Sequence, residues 1–147
     1  MIFVILGTQR FQMDRLLKKI DELVSNGAIT APVTAQTGLS GYVPLHYTHH
    51  GFLEKNAFDN LITESELIIT HGGVSIIIRA LRQKIPFVVC PRLAKYGEHV
   101  DDHQTEIAHA FKKKGFVVCY DDGDDLLEKI NIARNTIFPE YISKTNI

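Results

Sequence analysis

Short apolar runs alternate along this chain with stretches of helical period, and that alternation restricts the fold more than any other feature. Ile2 to Leu6, Pro32 to Gln36, Leu67 to Thr70, Pro86 to Pro91 and Phe116 to Tyr120 read as strands, most of them apolar at consecutive positions. Tyr47 to Leu53 is a more polar candidate for another strand. Leu16, Leu17, Ile20, Leu23 and Val24 recur at helical spacing, which predicts a helix over Asp14 to Ser25 that stops near Asn26-Gly27. Further helices are expected over Glu54 to Glu64, Val74 to Gln83, Asp102 to Lys114 and Asp124 to Arg134. Strands apolar on both faces must be covered on both faces, so the expected class is α/β, a Rossmann-like parallel sheet with helices on each side. One domain over residues 1–134 is expected, followed by a tail at 135–147 with no clear period.

Ligands of such sheets sit beyond the carboxyl ends of the strands. Two motifs fall there. Thr70-His71-Gly72-Gly73 joins the apolar run Leu67-Ile68-Ile69 to Ile76-Ile77-Ile78, so it reads as strand, glycine turn, helix. Glycines let the backbone turn sharply and let an anion approach unpaired helix amides, whose partial positive charge suits a diphosphate. Residues 72 and 73 would offer backbone, and His71 would donate to an anionic oxygen, with extra charge as the imidazolium. The second motif, Glu98-His99-Val100-Asp101-Asp102-His103-Gln104, gathers donors and acceptors able to grip sugar hydroxyls. A diphosphate beside a sugar describes a nucleotide-sugar donor. Gly7-Thr8-Gln9-Arg10 reaches the same edge after the first strand, with Arg10 able to face a phosphate or a partner domain. It lacks the Gly-x-Gly-x-x-Gly pattern, which argues against a dinucleotide enzyme.

Composition removes several function classes. With 16 basic and 17 acidic residues the formal charge is −1, so nothing steers the chain toward nucleic acid. No apolar run approaches the ~18 residues of a membrane span, and Ile2-Phe3-Val4-Ile5-Leu6 is strand-length without a basic leader. Cys90 and Cys119 each close a Val-Val-Cys run and read as small core residues in a reducing, cytoplasmic setting.

The ordered set of motifs resembles a known family. Val4-Ile5-Leu6-Gly7-Thr8 with Phe11 and Arg15-Leu16, then Ala35-Gln36-Thr37-Gly38 and Ile69-Thr70-His71-Gly72-Gly73, carry the first half of the resemblance. Ala80-Leu81-Arg82 with Pro86, Val88 to Arg92, and Tyr96 to Gln104 with Glu106 carry the second. Over roughly residues 1–130 the chain is similar to small glycosyltransferase subunits of the Alg13 and PssE/EpsF type. These resemble the C-terminal, donor-binding half of the GT-B enzyme MurG. The resemblance implies a single GT-B half-domain and a bipartite enzyme. One cytosolic subunit binds the UDP-sugar, and a membrane-anchored Alg14-like or PssD-like partner faces a lipid-linked acceptor sugar in capsule, exopolysaccharide or lipid-linked oligosaccharide synthesis. It also implies donor contacts at Gly7, Thr8, His71, Gly72, Gly73, Ser75, Arg79, Arg92, His99, Asp102, His103 and Gln104, with no cofactor beyond the donor itself.

The chain departs from the family pattern at three places. Ser75 and Ile76 stand for Gly-Ser, Arg79 for a Glu, and Lys84-Ile85 for Gly-Lys. In MurG-like domains that Glu accepts from ribose hydroxyls, and an arginine cannot accept. Arg79 would then bond a phosphate, or donor affinity would suffer. Lys84 falls at a helix C-terminal position that favours left-handed backbone.

Simpler readings cover the remaining polar clusters. Asp121-Asp122-Gly123-Asp124-Asp125 contains the Asp-x-Asp of the GT-A fold but sits where a polar turn and helix cap belong. His99 and His103, four apart, lack an evident third metal ligand. His46, His49 and His50 read as a surface cluster, Lys112 to Lys114 as a helix end, and Asp101 or Asp102 as a cap. The expectation is therefore a metal-independent, inverting hexosyltransferase subunit whose catalytic base lies elsewhere. A non-catalytic binding or regulatory subunit is the alternative, and an epimerase-like enzyme would need two domains.

Overall fold

The computed structural model describes residues 1–141. The elements run β1 (Ile2–Ile5), α1 (Asp14–Ser25), β2 (Val33–Gln36), β3 (Thr48–His50), α2 (Lys55–Glu64) and β4 (Leu67–Thr70). They continue with α3 (Val74–Arg82), β5 (Phe87–Val89), α4 (His103–Lys113), β6 (Val118–Cys119) and α5 (Leu126–Arg134). Among the described residues the strands form one sheet in the order β3-β2-β1-β4-β5-β6, every pairing parallel. The chain winds outward from β1 to β3, returns to the other side of β1 as β4, and winds outward again. Where the direction reverses, the loops after β1 and β4 leave a crevice at the strands' carboxyl ends.

Strand alternation divides the core between the two faces. Ile2, Val4 and Leu6 of the β1 segment pack with Leu16, Leu17, Ile20 and Leu23 of α1 and with Leu126 and Ile130 of α5. Phe3 and Ile5 point the other way, toward Ile62 of α2, Ile77 and Leu81 of α3 and Ala108 of α4. These side chains are almost wholly buried, so truncating one to alanine should cost about 2–5 kcal/mol. The buried cysteines are free thiols, and burial first of all pushes both up to about 12.

Several elements differ from the sequence-based expectation. The third strand keeps only Thr48–His50, all exposed, because an edge strand of polar residues has one neighbour and no covering layer. A 3₁₀ turn at Ala94–Tyr96, closed by Gly97 in the left-handed region, was not foreseen. The segment after α5 is docked in its described part, with Phe138 5.4 Å from Phe87 and Tyr141 5.6 Å from Phe116 between ring centroids. Residues 142–147 of the expected tail lie outside the described residues. Lys84 does take the left-handed conformation, with φ of 57°.

Two carboxylates on α1 hold the loop before β3. Asp14 accepts from the amides of Gly41 and Tyr42. Buried Asp21 accepts from Tyr42 Oη at 2.5 Å and the amides of Leu45 and His46, and lies 3.0 Å from His46 Nδ1. Burial alone would raise the Asp21 carboxyl, but these donors together hold it below its ordinary range. His46 is therefore paired with a carboxylate, while His49 and His50 stay on the exposed edge.

Candidate functional site

The loops after β1 and β4 meet around one imidazole. Gly7 has φ of +74°, and a β-carbon built on it would stand 2.7 Å from His71 Nε2. A β-carbon on Gly73 would stand 3.0 Å from His71 Cε1. His71 thus lies between two backbone segments, of which the one at Gly7 comes closer than any residue but glycine allows. Gly72, with φ of +95°, makes the turn that starts α3.

His71 is 6% exposed, and its Nδ1 accepts from Arg92 Nε at 3.4 Å. Burial, helped by the Arg92 charge, lowers its pKa to about 4 against the weaker opposing effect of Gln104. The ring is neutral at pH 7 and carries its proton on Nε2, since Nδ1 is the acceptor. This corrects the imidazolium expectation. His71 offers one N–H beside Gly7 and Gly73, and no positive charge.

Beyond that ring opens a cavity of about 430 Å³. Thr8, Gln9, Gln36, His71 and Ser75 supply its polar lining, and Ile5, Leu53, Phe58 and Ile76 its apolar walls. Gly73 is the N-cap of α3 and has no side-chain cap, while the first helical bond runs from the Ile77 amide to its carbonyl. The amides of residues 74–76 consequently lack intrahelical acceptors and carry the positive end of the helix dipole to the cavity rim. A second cavity, about 270 Å³, lies at the opposite, amino edge of the sheet beneath residues 136–140.

Of the expected donor contacts, Gly7, Thr8, His71, Gly73 and Ser75 line the cavity. The others do not. Arg79 donates to Asp59 of α2 at 2.7 Å and lies over Phe58, and it is not among the residues that line the cavity. Arg92 is 1% exposed. Its guanidinium donates to the carbonyls of Leu6, Phe11 and Glu98, because a buried cation must find acceptors. It is a tie between loops.

The 98–104 motif proves mainly structural. Glu98 is fully buried and takes a two-pronged bond from Arg15, at 2.8 and 3.0 Å, while also accepting from the Leu93 amide. Gln104 sits beneath Gly72, but its Oε1 accepts from the Arg92 amide. His103 has a side chain 70% exposed and pairs with Glu106. His99 packs on Phe11 with its Nδ1 3.2 Å from Asp101. Asp102 Oδ1 accepts from the Ala94 amide, and it is Asp101 that bonds the first amide of α4. The expected convergence of 72–73 with 103–104 on one pocket is therefore corrected: Gln104 supports the turn from behind, and His103 faces out.

Asp122 is bonded by Lys95 and Tyr96, Asp121 by His109, and Asp125 caps α5. Among the described residues no group of three or more His, Cys, Asp or Glu side chains could hold a metal ion. Sequence reasoning gave no role of their own to Gln36 and Arg15, and took Glu98 only as part of the sugar-gripping motif. The Arg15–Glu98 contact joins residues 83 positions apart, which no local pattern reveals.

The model of the glycosyltransferase family 28 C-terminal domain matches residues 1–137. Over 77 residues, 51% of this chain, the sequence is 36% identical to a protein of Cryptococcus neoformans var. neoformans serotype D named UDP-N-acetylglucosamine transferase subunit ALG13. It covers 36% of that protein, so the chain spans about a third of the length of this curated relative. Among solved structures, MurG of Acinetobacter baumannii superposes with a TM-score of 0.58 at 17% identity, over 90% of this chain and 41% of MurG. The glycotransferase of kitacinnamycin gives 0.58 at 16% identity, over 92% and 34%. At such identities the likeness is one of fold.

Proposed function

With a match running through residues 1–137, the chain belongs to the glycosyltransferase family 28 C-terminal domain family, and we propose that it is the donor-binding subunit of a two-component glycosyltransferase. The donor is a UDP-sugar, as the name of the Cryptococcus relative suggests for that protein. The reaction transfers a hexose to a lipid-linked acceptor sugar, in lipid-linked oligosaccharide, capsule or exopolysaccharide synthesis. The acceptor-facing half comes from an Alg14-like or PssD-like membrane-anchored partner. Among the described residues no helix is long and apolar enough to cross a membrane. Anchoring is assigned to the partner, with this chain at the cytoplasmic face.

One observation carries this reading: the α3 amino end, His71 Nε2–H and the Gly7 turn converge on a single cavity at the sheet's switch point. Leaving-group departure puts negative charge on the diphosphate, and fixed amides and one neutral N–H stabilise it without a metal ion. Loss of one such preorganised donor in a comparable site costs about 10²–10³ in rate. His71 is the one titratable side chain lining the cavity, and its free nitrogen carries a proton, so it cannot take one from an acceptor hydroxyl. The base is therefore assigned to the partner, and the transfer is read as inverting.

That same lack of a base is the observation that favours the alternative, a binding or regulatory subunit without catalysis. Titration calorimetry with UDP and UDP-sugars tests the donor reading, which predicts binding; no heat with any nucleotide would reject it. A transfer assay with and without the partner then separates the two roles.

A further inference from the structure

The cavity at the amino edge of the sheet, about 270 Å³, lies between two unlike walls. One is the end of α3 and the turn after it, Ala80, Leu81, Lys84, Ile85 and Pro86. The other is the non-helical run 136–140, packed through Phe138 on Phe87 and, one residue beyond it, through Tyr141 on Phe111 and Phe116. These aromatic contacts hold the run across the sheet edge and leave the space beneath it unfilled. Its walls are apolar at Leu81, Ile85, Pro86 and Phe138, and Ile137 stands at its mouth 97% exposed. Five consecutive residues along one side make the space long, up to roughly 16 Å, rather than round. An apolar cavity of about 150 Å³ accommodates a six-carbon ring, so this one has room for roughly ten carbons in line.

Charge defines the mouth. Lys84 lines the cavity with φ of 57°, a backbone conformation that glycine adopts without cost and lysine does not. Its ammonium has no ion-pair partner among the described residues. Exposed Arg82 precedes it, and α4, whose Phe111 meets Tyr141, ends in exposed Lys112, Lys113 and Lys114. Against these cations the cavity wall offers one carboxylate, the exposed Glu140. Apolar walls beneath an unpaired ammonium suit a chain that ends in an anion, and a lysine is a point charge well matched to phosphate.

We propose that this cavity is a separate ligand site for a single-chain amphiphile with a phosphate head, the chain lying between α3 and residues 136–140 and the phosphate on Lys84. The assignment is independent of the donor reading, since no residue lines both cavities.

The test is titration calorimetry of the 147-residue chain with n-alkyl phosphates from butyl to dodecyl, kept below micelle formation, on wild type, Lys84→Gln and Ile137→Ser. Both substitutions fall on exposed side chains, so the fold tolerates them. Affinity is expected to rise about fourfold per methylene and to level off near roughly ten carbons. Lys84→Gln should weaken decyl phosphate by about tenfold or more, and Ile137→Ser by about threefold. Inorganic phosphate alone should give no heat, and UDP titrations should be the same in all variants. Affinity that ignores chain length, is undiminished in both variants, or falls in parallel with UDP affinity would overturn the site. So would failure of every alkyl phosphate to bind, whether or not UDP binds. Cosedimentation with phosphatidylglycerol vesicles distinguishes the source: capture that depends on Lys84 points to a lipid reached in a bilayer, and binding of the soluble chain alone to a free amphiphile.

Discussion

His71 Nε2 stands where a β-carbon on Gly7 would come within 2.7 Å of it, so the two residues specify each other. Gly7→Ala meets two penalties, the left-handed backbone at φ of +74° and displacement of a buried ring. The first costs about 1–2 kcal/mol by itself. Urea unfolding should show at least that loss, and UDP affinity should fall at least tenfold as the imidazole is pushed from its place. Unchanged affinity in a folded variant would separate His71 from the site.

The neutral state of His71 predicts an acid-sensitive fold. Its pKa is about 4 in the native protein and about 6.5 in an unfolded chain, so the unfolded state binds more protons between those values. This contribution is fully present above pH 6.5 and declines as pH falls through the window to about 4. The slope is at most ~1.4 kcal/mol per unit. Chemical denaturation of wild type and His71→Asn across that window should show the slope in the first and its absence in the second. Asp21, held below the usual carboxylate range, loses its contribution only at lower pH.

Arg15 and Glu98 form a pair in which the carboxylate is fully buried. Breaking one partner leaves the other uncompensated, so Glu98→Ala should destabilise by about 3–5 kcal/mol. A double-mutant cycle with Arg15→Met is expected to show strong coupling, the pair together costing well under the sum of the single changes.

Arg79 and Asp59 are joined on the partly exposed surface of α2 and α3. Removing either is worth about 0.5–1 kcal/mol of stability, as for other such pairs. Arg79→Ala should leave UDP affinity within a factor of two by calorimetry. A tenfold loss would return Arg79 to the phosphate.

Lys84 occupies a left-handed position at φ of 57° behind α3. Lys84→Gly should stabilise the fold by about 0.5–1 kcal/mol, less what glycine adds to the unfolded chain's freedom. A thermal melt shifted upward by one to a few degrees is the expected result, and a lower midpoint would show that the lysine stem packs usefully.

What could be read from the amino-acid order was whatever repeats locally. Asp14–Ser25 and Leu67–Thr70 have the bounds expected of them, because Leu16, Leu17, Ile20 and Leu23 mark one helical stripe and Leu67 to Ile69 an unbroken buried run. The switch-point loops followed, since the glycines there are turn signals whatever the fold. The polar residues between strands were harder. Arg92 stands among the expected donor contacts, yet its acceptors include the Leu6 carbonyl, 86 positions away. His71 has its charge state set first by burial and then by that same arginine.

Arg92 also decides when the rim becomes ordered. Its guanidinium fastens the loop after β1 to the segment before α4, and its Nε holds the imidazole after β4. Those loops lose their freedom as the polypeptide folds, so an arriving nucleotide has little left to immobilise. In the proposed two-component enzyme, closure around substrate would then fall to rigid-body approach of the second component, with this subunit as its stationary anvil.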